Sequence, residues 1–368
     1  MEIRLKGEFP LSDVAFTRRG LIGAAGAAYL SGAAGGTALK SAWPITEGTA
    51  TPKLCMLAGP TADERAMRRI SQLGVKHAIM SGPPIPWEED QLRQIMDRFQ
   101  EGGITVSNMM IGGFPNTIYG KAGRDQEIEN IQKSIRAASR AGLPVIEYNF
   151  YAHRATEGYF DEPGRGGAGM LSFDYDKIKD LPPLPEEGAH SIDEMWANVT
   201  YFLKAVVPVA AESRVRLALH PNDPPAPISR GSGQIMGSVE GWQRLVSIVP
   251  SPYNGITFDC GVTREMGHDP VKVCRYFSKR DCINHVHFRN VIMRKPREKY
   301  TEVFPDEGEV NMVAVMKELV RQKYPRLIYP EHPRGLDYDR ERQGSGEYAG
   351  WVFNVGYARA MLQAALQA

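Results

Sequence analysis

Four short β-prone runs in the C-terminal half of the chain end on side chains that bind borderline or soft metals. They are VRLALH at His220, GITFDC at Cys260, INHVH at His287 and RLIYPE at Glu331. Two imidazoles, a thiolate and a carboxylate suit Mn²⁺, Fe²⁺ or Zn²⁺, and the thiolate argues against Mg²⁺ and Ca²⁺. Four protein ligands would close a tetrahedral Zn²⁺ site. Mn²⁺ or Fe²⁺ takes six positions and leaves two for a chelating substrate, so a six-coordinate metal is expected. Each residue alone has an ordinary explanation: a strand-end histidine is usually a hydrogen-bonded rim residue, and a lone cysteine is usually packing. Their occurrence on four successive strand ends is what points to chemistry.

More polar groups follow the same strand ends. His220 leads into Asn222 and Asp223 on the Pro-stiffened HPNDPP loop, His287 into Arg289 and Asn290, and Glu331 into His332 and Arg334. Arginines beside a metal suit an anionic, hydroxylated substrate such as a sugar acid.

The elements that must position these residues alternate between strand and helix. Strand patterns occupy 53–58, 75–81, 104–111, 144–150, 215–220, 255–260, 283–288 and 326–331. Amphipathic helical patterns lie near 62–73, 88–101, 124–141, 192–212, 238–248, 270–279, 310–323 and 348–367, with capping signals at Thr61 and Ser191. Eightfold alternation predicts a single-domain α/β (β/α)8 TIM barrel over residues 52–368, whose strand C-termini share one rim. A doubly wound sheet is the alternative, but no Gly-x-Gly-x-x-Gly turn follows a first strand, and no nucleotide cofactor is expected. In VRLALH, Arg216, Ala218 and His220 share the inward face; in INHVH, His285 and His287 do, with His285 read as an interior residue rather than a ligand. Two regions break the rhythm: the long connection 151–191, rich in Gly and Pro, and the charged segment 292–309. Loops of this length on a barrel are commonly functional.

Residues 1–42 read as a separate segment. The pair Arg18 and Arg19, a weakly apolar stretch from Leu21 to Leu30 and Lys40 beyond it look like a twin-arginine export signal, so export to the periplasm is expected; a disordered arm on a cytoplasmic protein is the alternative. The stretch is too short and glycine-rich for stable membrane insertion. Twin-arginine export moves folded proteins, which would let a metal site load before transit.

Composition excludes other classes. Lys plus Arg (44) nearly balance Asp plus Glu (43), a net charge of +1, so no basic field suggests nucleic acid and the partner is a small molecule. The four cysteines form no CxxC pair and are too few for a disulfide scaffold. The apolar C-terminal helix YARAMLQAALQA packs on the barrel or in a homo-oligomer.

The ordered set HPNDPP, the Cys-ended sixth strand, HVHFRNV and YPEHPR closely resembles the mannonate dehydratase family of xylose-isomerase-like barrels. The resemblance extends through GRDQEIENIQKSIRAASRAGLPVIEYNF and DEGEVNMVAVMKELV, over most of 53–367. It implies dehydration of D-mannonate to 2-keto-3-deoxy-D-gluconate, Mn²⁺ (or Fe²⁺) as cofactor, His220, Cys260, His287 and Glu331 as ligands, proton transfer by His332 and assistance from Tyr348. Arg289 and Arg334 are then expected to hold the substrate carboxylate or distal hydroxyls, and Asn149 and Arg154 to act from the lid side. The chain departs from the family's pattern in several places. Glu331 stands where the family has Asp, Asn222 replaces an Asp, Gly-Val-Thr-Arg-Glu follows the Cys, and Asn108-Met109 with an apolar IGGFP loop replace Glu-Ser and a downstream His. The competing readings are another enzyme on this barrel (an epimerase, an isomerase, or an eliminase of oxidised glycosides) and a non-catalytic sugar-acid-binding protein.

Overall fold

The computed structural model of the chain describes residues 47–341 and 347–367, so the segment read as an export signal lies outside the described residues. Eight parallel strands close into a barrel: β1 (Lys53–Leu57), β2 (His77–Ser81), β3 (Thr105–Ile111), β4 (Val145–Tyr148), β5 (Arg216–Leu219), β6 (Asn254–Asp259), β7 (Ile283–His287) and β8 (Leu327–Tyr329), with β8 pairing back to β1. The principal helices are α1 (Glu64–Gln72), α2 (Glu89–Glu101), α3 (Arg124–Ala141), α4 (Ile192–Ser213), α5 (Val239–Ile248), α6 (Pro270–Ser278), α7 (Met312–Arg321) and α8 (Tyr348–Gln367). Ser191 and Glu194 form the expected reciprocal cap of α4. At α1 the cap is Asp63, which accepts from the Ala66 amide, rather than Thr61.

Helix periodicity is tied to burial here. In α3 the residues Ile128, Ile131, Ile135 and Ala138 fall on one stripe and are buried, each large aliphatic contributing about 1.5–3 kcal/mol when removed from water. Strand periodicity of two does the same inside the barrel, where Cys55, Ile79, Leu327 and Tyr329 cluster with Trp351.

The two irregular regions form one structure. Strands Tyr159–Pro163 and Gly169–Asp174 from the first pair with Asn290–Lys295 and Lys299–Val303 from the second, making a four-stranded antiparallel sheet. Phe173, Tyr300, Ile178, Ala226 and Val291 give it a buried apolar core. Two segments over a hundred residues apart in sequence thus stabilise each other beside the C-terminal rim.

Candidate active site

Strand parity decides which side chains meet. Asp259 is in register with His287 across β6 and β7, with Thr257 opposite His285. These four therefore point into the barrel, and Cys260 points the other way. Cys260 begins a short helix, Cys260–Glu265, is fully buried, and its thiol is pushed well up by burial, then by Asp259 and Cys274. This corrects the expectation of a thiolate ligand: the inward residue at the end of β6 is Asp259. A one-residue shift in a strand exchanges faces, which is why GITFDC misleads when read by its last letter.

His220 and His287 line a cavity of about 370 Å³, and their donor atoms lie with one of the buried Asp259 within 4.8 Å of one another. His220 Nε2 and His287 Nδ1 are 3.2 Å apart, and Glu331 Oε2 is 2.9 Å from His287 Nδ1. The His220 Nδ1–H donates to the Pro221 carbonyl at 2.8 Å, which turns the Nε2 lone pair to the site. Burial, then His287, lowers His220 to about 4, so it stays a neutral imidazole. Glu331 Oε1 is buried and faces the Arg289 Nε at 3.3 Å. Neutral imidazole lone pairs facing two carboxylates form a set that fits a divalent cation.

Beneath this row Glu147 is fully buried, accepting from Thr257 at 2.7 Å and Asn108 at 3.0 Å, and lies 3.5 Å from His287 Nε2. Burial raises its carboxyl despite the opposing pull of His287. Glu147 went unnoticed in PVIEYNF, although a carboxylate on an inward position of an apolar strand was its signal.

Arg289 is the organising cation. Its guanidinium meets Asp259 at 3.1 Å, Glu331 at 3.3 Å, Glu265 at 2.6 Å and Asp223 at 3.4 Å. It is 3% exposed and does not line the cavity. This corrects its assignment to substrate: its guanidinium is buried and faces four protein carboxylates. A Cβ on Gly261 would come within 2.7 Å of that guanidinium, so a glycine here lets the chain pass close.

His332 stands at the cavity edge with φ +48°, a left-handed conformation uncommon for a non-glycine residue. Its Nδ1 donates to Glu302 at 2.7 Å, and its Nε2 is 3.5 Å from Glu331. Burial works against protonation, but Glu302 and Glu331 outweigh it and raise His332 to about 9. Glu302, contributed by the antiparallel sheet, also accepts from Arg334 at 3.0 Å, so Arg334 braces Glu302 instead of facing substrate.

The remaining expected residues divide. Asn149, Arg154 and Asp223 line the cavity. Asp223 is held by Arg154, through its carbonyl at 2.6 Å and carboxylate at 3.3 Å, and by Tyr159 at 2.8 Å. Asn222 is spent on its own loop, donating to Gln234 and accepting from the Met236 amide. Asn290 bonds the Pro305 and Val310 carbonyls and the Val310 amide, fixing the following loop. Tyr348 opens α8 with its ring 5.2 Å beneath the Arg69 guanidinium, outside the cavity lining. These three positions, like Arg289 and Arg334, lie outside the cavity lining; neither proximity to a strand end, for Asn222 and Asn290, nor the family resemblance, for Tyr348, brought them there.

The family model for D-mannonate dehydratase (UxuA) matches residues 56–186 and 187–368. The chain belongs to that family. A mannonate dehydratase of Oceanobacillus iheyensis is 30% identical over 320 residues, covering 77% of this chain and 90% of the relative. One from Thermotoga maritima is 28% identical over 332 residues, covering 79% and 91%. The crystal structure of mannonate dehydratase from Streptococcus suis serotype 2 superposes with a TM-score of 0.78 at 26% identity, over 86% of this chain and 95% of that one. An L-ribulose 3-epimerase structure shares the fold at 13% identity, with a TM-score of 0.55. The family's barrel and the site's carboxylate–imidazole floor thus occur in one chain.

Proposed function

We propose that this protein is a metal-dependent hydro-lyase of sugar acids, converting D-mannonate to 2-keto-3-deoxy-D-gluconate and water. The observation that carries the reading is the inward row His220, Asp259, His287 and Glu331, with His220, His287 and Glu331 lining the cavity, in a chain of this family. Those four would hold the cation, and the absence of a thiolate among them favours Mn²⁺ or Fe²⁺ over Zn²⁺. When bound, the cation would supply Lewis-acid stabilisation of the negative charge that develops at the substrate carboxylate.

In the reaction the C2–H bond and the C3–O bond break, a proton and hydroxide depart as water, and the resulting enol takes a proton at C3 and releases the one on its C2 hydroxyl to give the 2-keto acid. His332, flanked by Glu302 and Glu331, is positioned to move a proton at Nε2. Arg154 and Asn149 face the cavity from the lid side and orient the acid and its hydroxyls. Arg289 holds Asp259 and Glu331 in place, and the antiparallel sheet carries Glu302 to His332 and Tyr159 to Asp223.

The paired Arg18 and Arg19 support export in the folded state; a carboxylate in place of a thiolate ligand would also tolerate an oxidising compartment. Cell fractionation of the wild-type chain and an Arg18→Lys, Arg19→Lys variant tests this, with periplasmic activity expected only for the former.

Protein stripped of metal and reloaded with Mn²⁺ or Fe²⁺ is expected to release 2-keto-3-deoxy acid from D-mannonate, with loss of both turnover and metal in His287→Ala. Turnover by the stripped protein, or none by any loaded form, would refute the proposal. Among the described residues no helix is long and apolar enough to cross a membrane.

A further inference from the structure

His287 is approached from both edges of its ring. Its Nδ1 faces the cation row, with His220 Nε2 at 3.2 Å, Glu331 Oε2 at 2.9 Å and Asp259 Oδ2 at 4.0 Å. Its Nε2 faces Glu147 Oε1 at 3.5 Å and has no hydrogen-bond partner among the described residues. The His285 ring, 4.9 Å away, meets the His287 ring at a right angle. Glu147 is held where it stands. It is a buried inward residue of β4, and the residue in register with it on β5 is only an alanine, Ala218. Thr257 from β6 donates to Oε1 at 2.7 Å, and Asn108 from β3 donates to Oε2 at 3.0 Å. One donor on each oxygen favours the charged form against the cost of burial and leaves each oxygen a lone pair. Glu147 also borders the cavity, but the His287 ring stands between its carboxylate and the cation row.

A neutral imidazole carries one ring proton. On His220 that proton sits on Nδ1, donated to the Pro221 carbonyl at 2.8 Å, and Nε2 is left bare for a cation. On His287 the two nitrogens exchange roles: a cation in the row needs Nδ1 bare, so the proton has to sit on Nε2. Two carboxylates compete for it. Glu331 draws it to Nδ1, where it would point into the cation row, whereas Glu147 draws it to Nε2, away from the row. At 3.5 Å the Glu147 pair is long for a hydrogen bond, yet the attraction between a buried carboxylate and an N–H acts at that separation. We propose that Glu147 is a positioning residue, accepting the Nε2 proton of His287 and thereby keeping Nδ1 open to a divalent cation. This rests on the cation row of the proposed function, and its first readout needs neither metal nor substrate.

Ring-nitrogen NMR of the metal-free protein reads which nitrogen of each histidine is protonated. The wild type is expected to carry the His287 proton on Nε2 and the His220 proton on Nδ1. Glu147→Leu, which removes the acceptor, is expected to move the His287 proton to Nδ1 and leave His220 as it was. Its Mn²⁺ affinity, titrated calorimetrically, is expected to fall by about 10–100-fold, the usual effect of losing the partner behind a ligating histidine. Glu147→Gln keeps the shape and one acceptor oxygen without the charge, and is expected to fall between. A His287 proton on Nδ1, or on both nitrogens, in the metal-free wild type overturns the inference without recourse to any variant, so it stays refutable if the variants do not fold. An unmoved proton or an unchanged Mn²⁺ affinity in folded Glu147→Leu overturns it as well. A moved proton with weakened Mn²⁺ binding upholds it even where no sugar acid is turned over, a result that overturns the hydro-lyase reading alone.

Discussion

The Glu331 carboxylate, on the segment just past β8, lies 2.9 Å from Nδ1 of His287 at the end of β7. The opposite ring nitrogen of His287 faces Glu147 at 3.5 Å. One imidazole is thus bracketed by carboxylates from β4 and from the β8 end, while His220 approaches from β5. The parallel register that sets His287 against Tyr329 leaves Glu331 two residues further along, on the inward face and at the rim. Closure of the barrel, rather than any local motif, makes this contact.

Asp259 and Cys260 offer a direct contrast. Asp259→Asn removes an inward charged donor and is expected to weaken Mn²⁺ affinity by about tenfold or more, by analogy with metal-site perturbations generally. Cys260→Ser replaces a buried outward thiol and is expected to leave metal content unchanged, with a stability loss of about 1–2 kcal/mol. Metal content after gel filtration and urea unfolding measure the two effects; metal loss in Cys260→Ser alone would reverse the assignment.

His332→Asn is expected to retain metal and fold but to lose about 10²–10⁴ in kcat, the usual contribution of one general acid–base group. Steady-state kinetics beside metal analysis checks this. Unchanged kcat would remove His332 from proton transfer.

Arg289→Met leaves Asp223, Asp259, Glu265 and Glu331 without their shared cation. Stripping one partner from a buried ionic cluster costs about 3–5 kcal/mol. Chemical denaturation of the metal-free variant should show a loss of that size, partly restored by Mn²⁺ because the added cation offsets the same carboxylates. An Arg289→Met protein as stable as wild type would show the cluster to be neutralised by other means.

Away from the site, Glu318 on α7 is clasped by Arg275 from α6 and by Arg321 and Gln322. Burial works against its charge, but those donors win and hold it at about 2, below the ordinary 4.5. A carboxyl depressed in the folded state contributes stability that is complete above its unfolded pKa and lost as pH falls through the folded one. Wild-type stability should therefore decline between about pH 4.5 and 2 more steeply than that of Glu318→Gln. Parallel slopes in acid titrations of urea unfolding would show that the clasp contributes nothing.

Legibility differed by kind of residue. The barrel strands and principal helices lie within a few residues of their sequence patterns because periods of two and 3.6 are local properties, set by which face each element buries. His220, His287 and Glu331 were readable as inward strand-end groups for the same reason. Asp259 was missed by one position, since the last residue of a strand pattern need not share the parity of its inward face. Arg289, Arg334 and Asn290 were read as active-site groups from proximity in sequence and Tyr348 from the family resemblance, yet hydrogen bonding to distant carboxylates and carbonyls, or packing under Arg69, determines where each points. Glu302 and the pairing of the two long insertions had no local signal.

The amino-acid sequence by itself determined the alternation of elements, the gathering of imidazoles and carboxylates at strand ends, and the family. The tertiary structure alone decided which carboxylates join the imidazoles and which arginine is consumed in holding them. The physical reason is that secondary structure follows from short-range periodicity, whereas a buried charge takes whatever partner the closed barrel brings within reach, because leaving it unpaired is too costly.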